Sequence, residues 1–373
     1  MRVITIFAVV VVTSIFVLGC STTTAQQPPD EPTDELIMQI ENSSPAGAAN
    51  APANLLSTPE SRQNVQPLDW DVTRGEVSPE AQLSDELSST APGPAGSSPG
   101  GAPDPDADKE AESQHEDDWE GLRELESGFV SPAASEINFG TQDVFTQYCE
   151  NCSAVNLNHP QRAIGKLFTS SGSCSASVVS GQNVIVTAAH CCYNRSAGNW
   201  IGGWSFAPAY RDGFAPYGMF DWSSAAILTR WVNVGDRKSD ACVIKLRNDS
   251  SGRGVTYYTG WLGRSWNYST TQVHHSAGYP GNIGGGNKLE LCISESFNPN
   301  SGCGGGSVLN MGCSMTFGAS GGPWIRHYRS GNWVNSVVSG YDSASCTGSF
   351  GSTFNGPRFT GDNIVKICNA IGC

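Results

Sequence analysis

The chain has 373 residues, of which 38% are hydrophobic, and its 43 Gly and 21 Pro exclude a uniformly packed helical protein. The formal charge of −14 divides unevenly: residues 1–150 carry 5 Lys/Arg against 26 Asp/Glu, and residues 151–373 carry 16 against 9. A strongly acidic region therefore precedes a mildly basic body, and no basic stripe of the kind that tracks nucleic acid is present in it.

In chain order, Arg2 and the apolar run Val3 to Leu18 read as a targeting segment, too short to span a bilayer comfortably. Its end, Val17-Leu18-Gly19-Cys20-Ser21, resembles a bacterial lipobox, which implies lipidation of Cys20 and a membrane anchor there; ordinary cleavage that discards Cys20 is the alternative. Residues 1–20 are accordingly read as a signal peptide of lipoprotein type. From residue 21 to about 140 the composition is Pro, Ser, Ala, Gly and acid, which buries too little apolar surface to offset backbone ordering and predicts a disordered linker or pro-region. Two islands, Glu35 to Ile40 and Trp119 to Leu125, predict short helices, and the acidic run from Asp104 to Glu126 is suited to dock on the basic body by charge.

Residues 141–373 hold twelve of the 13 cysteines, a density that points to an exported, disulfide-bonded domain in the bacterial cell envelope or outside it. Short runs of strand length recur between turn signals: Ser177-Val178-Val179, Val184 to Thr187, Ala225 to Leu228, Ala241 to Leu246, Gln272-Val273 and Trp333 to Val338. Only the tail, Gly361 to Ile371, shows a cap candidate followed by helical spacing. The expectation is an all-β sandwich or barrel with a short C-terminal helix. Cys149-Glu150-Asn151-Cys152 has redox spacing but no thioredoxin-like surroundings, so structural disulfides are expected. His274-His275 lacks a second ligand pair and is read as an exposed loop, and neither a metal nor a cofactor is called for.

Three segments carry chemistry. His190 stands in Thr187-Ala188-Ala189-His190-Cys191 at a strand end, Asp240 directly precedes the apolar run Ala241 to Leu246, and Ser320 lies in Gly318-Ala319-Ser320-Gly321-Gly322-Pro323. A serine hydroxyl needs an imidazole to take its proton, and a carboxylate on the other ring nitrogen fixes the tautomer. Glycines around the serine let the N–H groups of Gly318 and Ser320 aim at a developing oxyanion. Gly-x-Ser-x-Gly also suits an α/β-hydrolase, but that fold needs the acid and the His after the Ser, and only His327 follows Ser320.

The order and wording of these segments resemble the chymotrypsin-like serine proteases over residues 160–373, and His159 to Leu167 with Ala277 to Gly281 are similar to the bacterial glutamyl-endopeptidase branch. The resemblance implies two six-stranded antiparallel barrels with a cleft between them. It implies a serine endopeptidase acting on protein or peptide substrates, with Ser320 as nucleophile, His190 as base, Asp240 as orienting acid, and Gly318 and Ser320 as oxyanion hole. It further implies a Cys174–Cys191 bridge, with Cys192 as competitor, a Cys313–Cys346 bridge beside the pocket, and substrate contacts at Ser314, Ser339 and Gly340. Ala319 replaces the Asp that receives a new N-terminus in the digestive branch, and Val337 stands where the glutamyl branch has a His. With Ser314 at the pocket floor, an uncharged side chain is the expected preference. The competing reading is a proteolytically silent homologue acting as a binding or adhesion module.

Overall fold

A computed structural model describes residues 37–42, 56–68, 93–127, 144–149 and 157–373. The targeting segment, Cys20 and Cys152 lie outside the described residues.

Six antiparallel strands close a barrel in the first half of the C-terminal body. Taken around the barrel they are Phe220–Leu228, Cys242–Leu246, Val184–Thr187, Gly172–Ser180, Ile164–Thr169 and Ser205–Pro208, which pairs back onto Phe220–Leu228. Closure explains the sequence texture. Strand alternation sends Cys174, Ala176 and Val178 to one face of Gly172–Ser180 and Ser173, Ser175 and Ser177 to the other, and both sets are buried because the second face meets the rest of the domain.

The second half is built from a sheet in the order Gly96–Ser98, Gly263–Trp266, Trp333–Val337, Pro323–Arg326, Val273–Gly278, Glu290–Glu295 and Thr146–Cys149. A three-stranded sheet of Val308–Met311, Thr353–Pro357 and Gly340–Asp342 completes it, reached through a bridge between Phe297 and Asn310. The outer strands Gly96–Ser98 and Thr146–Cys149 come from the segment before residue 157, so the edges of this sheet are covered by the chain's own N-terminal part. The tail forms one wide helical turn, Gly361–Val365, and then an α-helix, Lys366–Ile371, whose Ile367 and Ile371 are buried with Ile364 against the first barrel. Among the described residues no helix is long and apolar enough to cross a membrane.

Two sequence expectations change. Helix was expected from Glu35 to Ile40, but Ile37–Glu41 is a strand that pairs antiparallel with Phe220–Leu228, with Met38 opposite Ile227. An isolated helix that short is marginal, whereas an open strand edge supplies backbone partners at once. His274 and His275 are not in an exposed loop; they lie in strand Val273–Gly278, where alternation buries His274 completely. Burial lowers the His274 pKa to about 3, and Arg326 adds to the effect. The second helical expectation holds, since Trp119 to Leu125 falls within helix Glu116–Ser127.

The acidic segment meets the basic body by specific pairs. Asp108 takes Arg162, Glu110 takes Arg253 at 3.3 Å, and Trp119 donates its Nε1–H to Pro216 O at 2.7 Å, while within the N-terminal region itself Asp118 takes Arg62 at 2.5 Å. Ala107, Ala111 and Leu122 are buried beneath these contacts.

The Cys192–Cys242 bridge closes a span of 50 residues across this barrel. Replacing both cysteines by Ala is expected to lower stability by about 4 kcal/mol, read as a shift in denaturant midpoint under oxidising conditions.

Candidate active site

His190 sits in the short turn Ala189–Cys191 that leaves strand Val184–Thr187, and its side chain is fully buried. Asp240 ends the turn Arg237–Ser239, just before strand Cys242–Leu246, and is also fully buried. The carboxylate holds the histidine at two points: the His190 backbone N–H donates to Asp240 Oδ1 at 2.9 Å, and Nδ1 lies 2.9 Å from Oδ2. A carboxylate only accepts, so Nδ1 carries the proton and Nε2 keeps the basic lone pair. Ser339 adds a third hydrogen bond, from Oγ to Asp240 Oδ2 at 2.5 Å.

Covalent ties hold this pair in register. Cys174–Cys191 joins the residue after His190 to strand Gly172–Ser180, as expected. Cys192 does not compete for Cys174; it pairs with Cys242, two residues beyond Asp240. The two bridges thus bracket the histidine and the aspartate. A polar tie reinforces them from the second half, where Arg237 Nη2 reaches Asp342 at 2.7 Å and Nη1 reaches Cys303 O at 3.2 Å. Pairs 237–342 and 240–339 therefore run side by side across the cleft.

Ser320 lies in a tight turn and is 8% exposed. The turn needs its glycines: Gly318 has φ +91° and Gly321 φ +80°. A Cβ on Gly321 would lie 1.9 Å from Thr187 Oγ1 and 2.8 Å from Ala188 N, so the turn is pressed against the chain entering the histidine turn. Ser320 O accepts from Ser175 N at 2.8 Å, Gly321 N donates to Val338 O at 2.8 Å, and Ser175 Oγ donates to Gly318 O at 2.7 Å. Among the described residues, the N–H groups of Gly318 and Ser320 donate to no backbone acceptor.

No protein-family model matches the sequence. The chain is 27% identical over 147 residues to glutamyl endopeptidase of Bacillus licheniformis, a match that takes in 37% of this chain and 44% of that protein, so it spans less than half the length of that relative. Among solved structures it is similar to the protease Anisep from Arthrobacter nicotinovorans, with 28% identity and a TM-score of 0.50 over 57% of this chain and 96% of that one. A thermostable serine protease, AL20, from an extremophilic microorganism matches with 27% identity and a TM-score of 0.50, over 56% of this chain and 97% of that one. The fold is that of the chymotrypsin-like serine proteases. In this chymotrypsin-like domain the structure brings His190 to Asp240 and sets the glycine turn of Ser320 against Thr187 and Ala188, the residues that lead into the histidine turn.

The pocket side departs from expectation in its details. Cys313 and Cys346 do not pair with each other: Cys313 joins Cys292, and Cys346 joins Cys303. Cys292 lies on strand Glu290–Glu295, beside the Ser314 segment, and so out-competes a partner farther along the chain. Cys368–Cys373 closes the tail, and Cys149 is also disulfide-bonded. Ser339, expected to frame the pocket, turns its hydroxyl to Asp240, and its neighbour Gly340 begins strand Gly340–Asp342. Ser314 Oγ donates to Gln147 Oε1, which reaches it from strand Thr146–Cys149. Gln147 also contacts Glu290, and sequence reasoning missed both because they come from strands remote from the motif. Among the described residues no group of three or more His, Cys, Asp or Glu is placed to hold a metal ion.

Burial raises the Glu290 carboxyl to about 7, with Gln147 and Lys288 pulling the other way. Its folded pKa therefore lies above its ordinary 4.5, so the folded state holds a proton there that the unfolded chain has released. The resulting stability is full below about pH 4.5 and is lost as pH rises through about 7. Glu290→Gln should flatten that decline, measured as urea midpoints at about pH 5 and pH 7.5.

Proposed function

We propose that this chain is an exported serine endopeptidase that cleaves protein or peptide substrates through an acyl-enzyme. The observation that carries the reading is the double hold of the buried Asp240 carboxylate on the His190 backbone N–H and Nδ1, which leaves Nε2 as base. In the proposed reaction Ser320 Oγ attacks the substrate carbonyl carbon while His190 Nε2 takes the hydroxyl proton. The carbonyl π electrons move to oxygen, and the N–H groups of Gly318 and Ser320 donate to that oxyanion. Collapse of the intermediate breaks the C–N bond, and the imidazolium returns its proton to the leaving amine. Water then repeats the sequence on the ester and regenerates Ser320. Asp240 stays ionised throughout, stabilises the imidazolium and is itself steadied by Ser339.

The pocket is assigned to Ser314 at the floor, with Ser339 and Gly340 on the framing strand. The Gln147 amide beside Ser314 supports a preference for an uncharged side chain over Lys or Arg. Export fits the five disulfides joining described cysteines, which need an oxidising compartment. Lipidation of Cys20, cleavage of the targeting segment, and removal of the acidic segment as a pro-region belong to the same proposal.

Ser320→Ala should abolish labelling by a fluorophosphonate and cut peptide turnover by at least about 10³-fold, and Asp240→Asn should lower turnover by about 10⁴-fold by releasing the wrong tautomer. Unlabelled but correctly folded wild-type protein would turn the assignment toward a silent, binding homologue.

A further inference from the structure

One part of the N-terminal region lies against the strand that supports the Ser320 turn. Leu68 N–H donates to Ser173 O at 2.8 Å, and Ser173 N–H donates to Gln66 O at 2.9 Å, so Gln66 to Leu68 pairs with Ser173 as a short added strand. Ser173 is two residues before Ser175, whose N–H holds Ser320 O, so the two project from the same face of one strand about 7 Å apart. The other flank of Ser320 is held by Val338, next to the Ser339–Gly340 strand that frames the acyl-side pocket in the assignment above. By exclusion, the Ser173 flank takes the part of a peptide beyond the scissile bond.

The seat of Pro67 is walled by glycines. A Cβ on Gly281 would come within 2.7 Å of Pro67 Cγ, one on Gly318 within 3.0 Å of Pro67 Cβ, and one on Gly286 within 3.2 Å of Pro67 Cγ. Gly172, at φ +145°, would meet Gln66 O at 2.9 Å. Upstream, the segment is fastened by Arg62, whose Nε donates to Gly213 O at 2.5 Å and whose Nη2 meets Asp118, and by Gln63 O, which accepts from Asn287 Nδ2 at 3.2 Å. Two independent observations therefore agree: the backbone pairing on Ser173, and a glycine-lined seat that reaches the oxyanion-hole residue Gly318.

We infer that residues 62–68 are a built-in occupant of the leaving-group side of the cleft, which blocks extended peptides while leaving Ser320 open to small acylating reagents. The inference rests on the endopeptidase reading of the preceding section. The physical basis is competition for one set of groups: an extended substrate gains affinity by pairing its backbone with an exposed strand, and Leu68 and Gln66 already occupy both backbone groups of Ser173. Because the occupant is covalently attached, its effective concentration is high, and its release requires cleavage of the segment or loss of its anchors.

The test uses the full-length chain and two full-length variants, Leu68→Pro, which has no N–H to give to Ser173, and Arg62→Ala, which loses the Gly213 and Asp118 contacts. Two rates are compared: labelling by a small fluorophosphonate, and turnover of an internally quenched peptide with three or more residues beyond the scissile bond. Equal labelling in all three proteins is expected, with kcat/KM for the quenched peptide about tenfold higher in the variants, the size of effect expected from losing one or two such hydrogen bonds. A synthetic peptide of residues 56–68 should inhibit the variants competitively, which keeps the test decisive should one variant fold poorly. Equal peptide turnover in all three proteins, with no inhibition by the synthetic peptide, overturns the inference. Absence of labelling from all three removes the endopeptidase reading, and the inference with it.

Discussion

A carboxylate buried with no solvent contact is costly unless it is well supplied with hydrogen-bond donors, and Asp240 has donors at both oxygens. Its oxygens accept from the His190 backbone N–H, from Nδ1 and from Ser339 Oγ. The remaining features of the site follow from the need to keep those three donors in place. His190 and Asp240 belong to the first barrel and Ser339 to the second half, so satisfying one carboxylate obliges the two halves to meet at a fixed spacing.

Other devices share this burden. The two bridges at Cys191 and Cys192 pin the histidine turn from both sides, one to the strand of Ser175 and one to the strand that follows Asp240. Arg237 and Asp342 repeat the cross-cleft tie three residues away, and Gly321 packs against Thr187 and Ala188 with no room for a Cβ. Each device sits within a few residues of a reacting group, which is how a mostly loop-borne site attains the rigidity that acyl transfer requires.

The acidic N-terminal segment contributes to the same architecture in two ways. Its carboxylates neutralise Arg62, Arg162 and Arg253, and its short strands cover open sheet edges on both halves. The neighbouring stretch Gln66 to Leu68 uses the same edge chemistry on the strand that supports the Ser320 turn.

Much of this was legible in the sequence. The wording around His190, Asp240 and Ser320 picks out the three proposed groups because a nucleophile, a base and an orienting acid each demand a residue type, and the glycines at 318 and 321 are demanded by a turn no other residue adopts cheaply. Strand lengths in the body and the C-terminal helix were legible too, because hydrophobic spacing and turn residues are local. Partnerships between distant segments were not. Cys313 chose Cys292 over Cys346, Cys192 found Cys242, Ile37 to Ile40 took an edge strand in place of the expected helix, and His274 went inside, because each outcome depends on which strand lies alongside. Side-chain chemistry travels with the residue and can be read one position at a time. Adjacency exists only once the barrel has closed, and that is why the tertiary structure alone decided the disulfide map, the placement of Gln147 and Glu290, and the seating of Pro67 against Gly318.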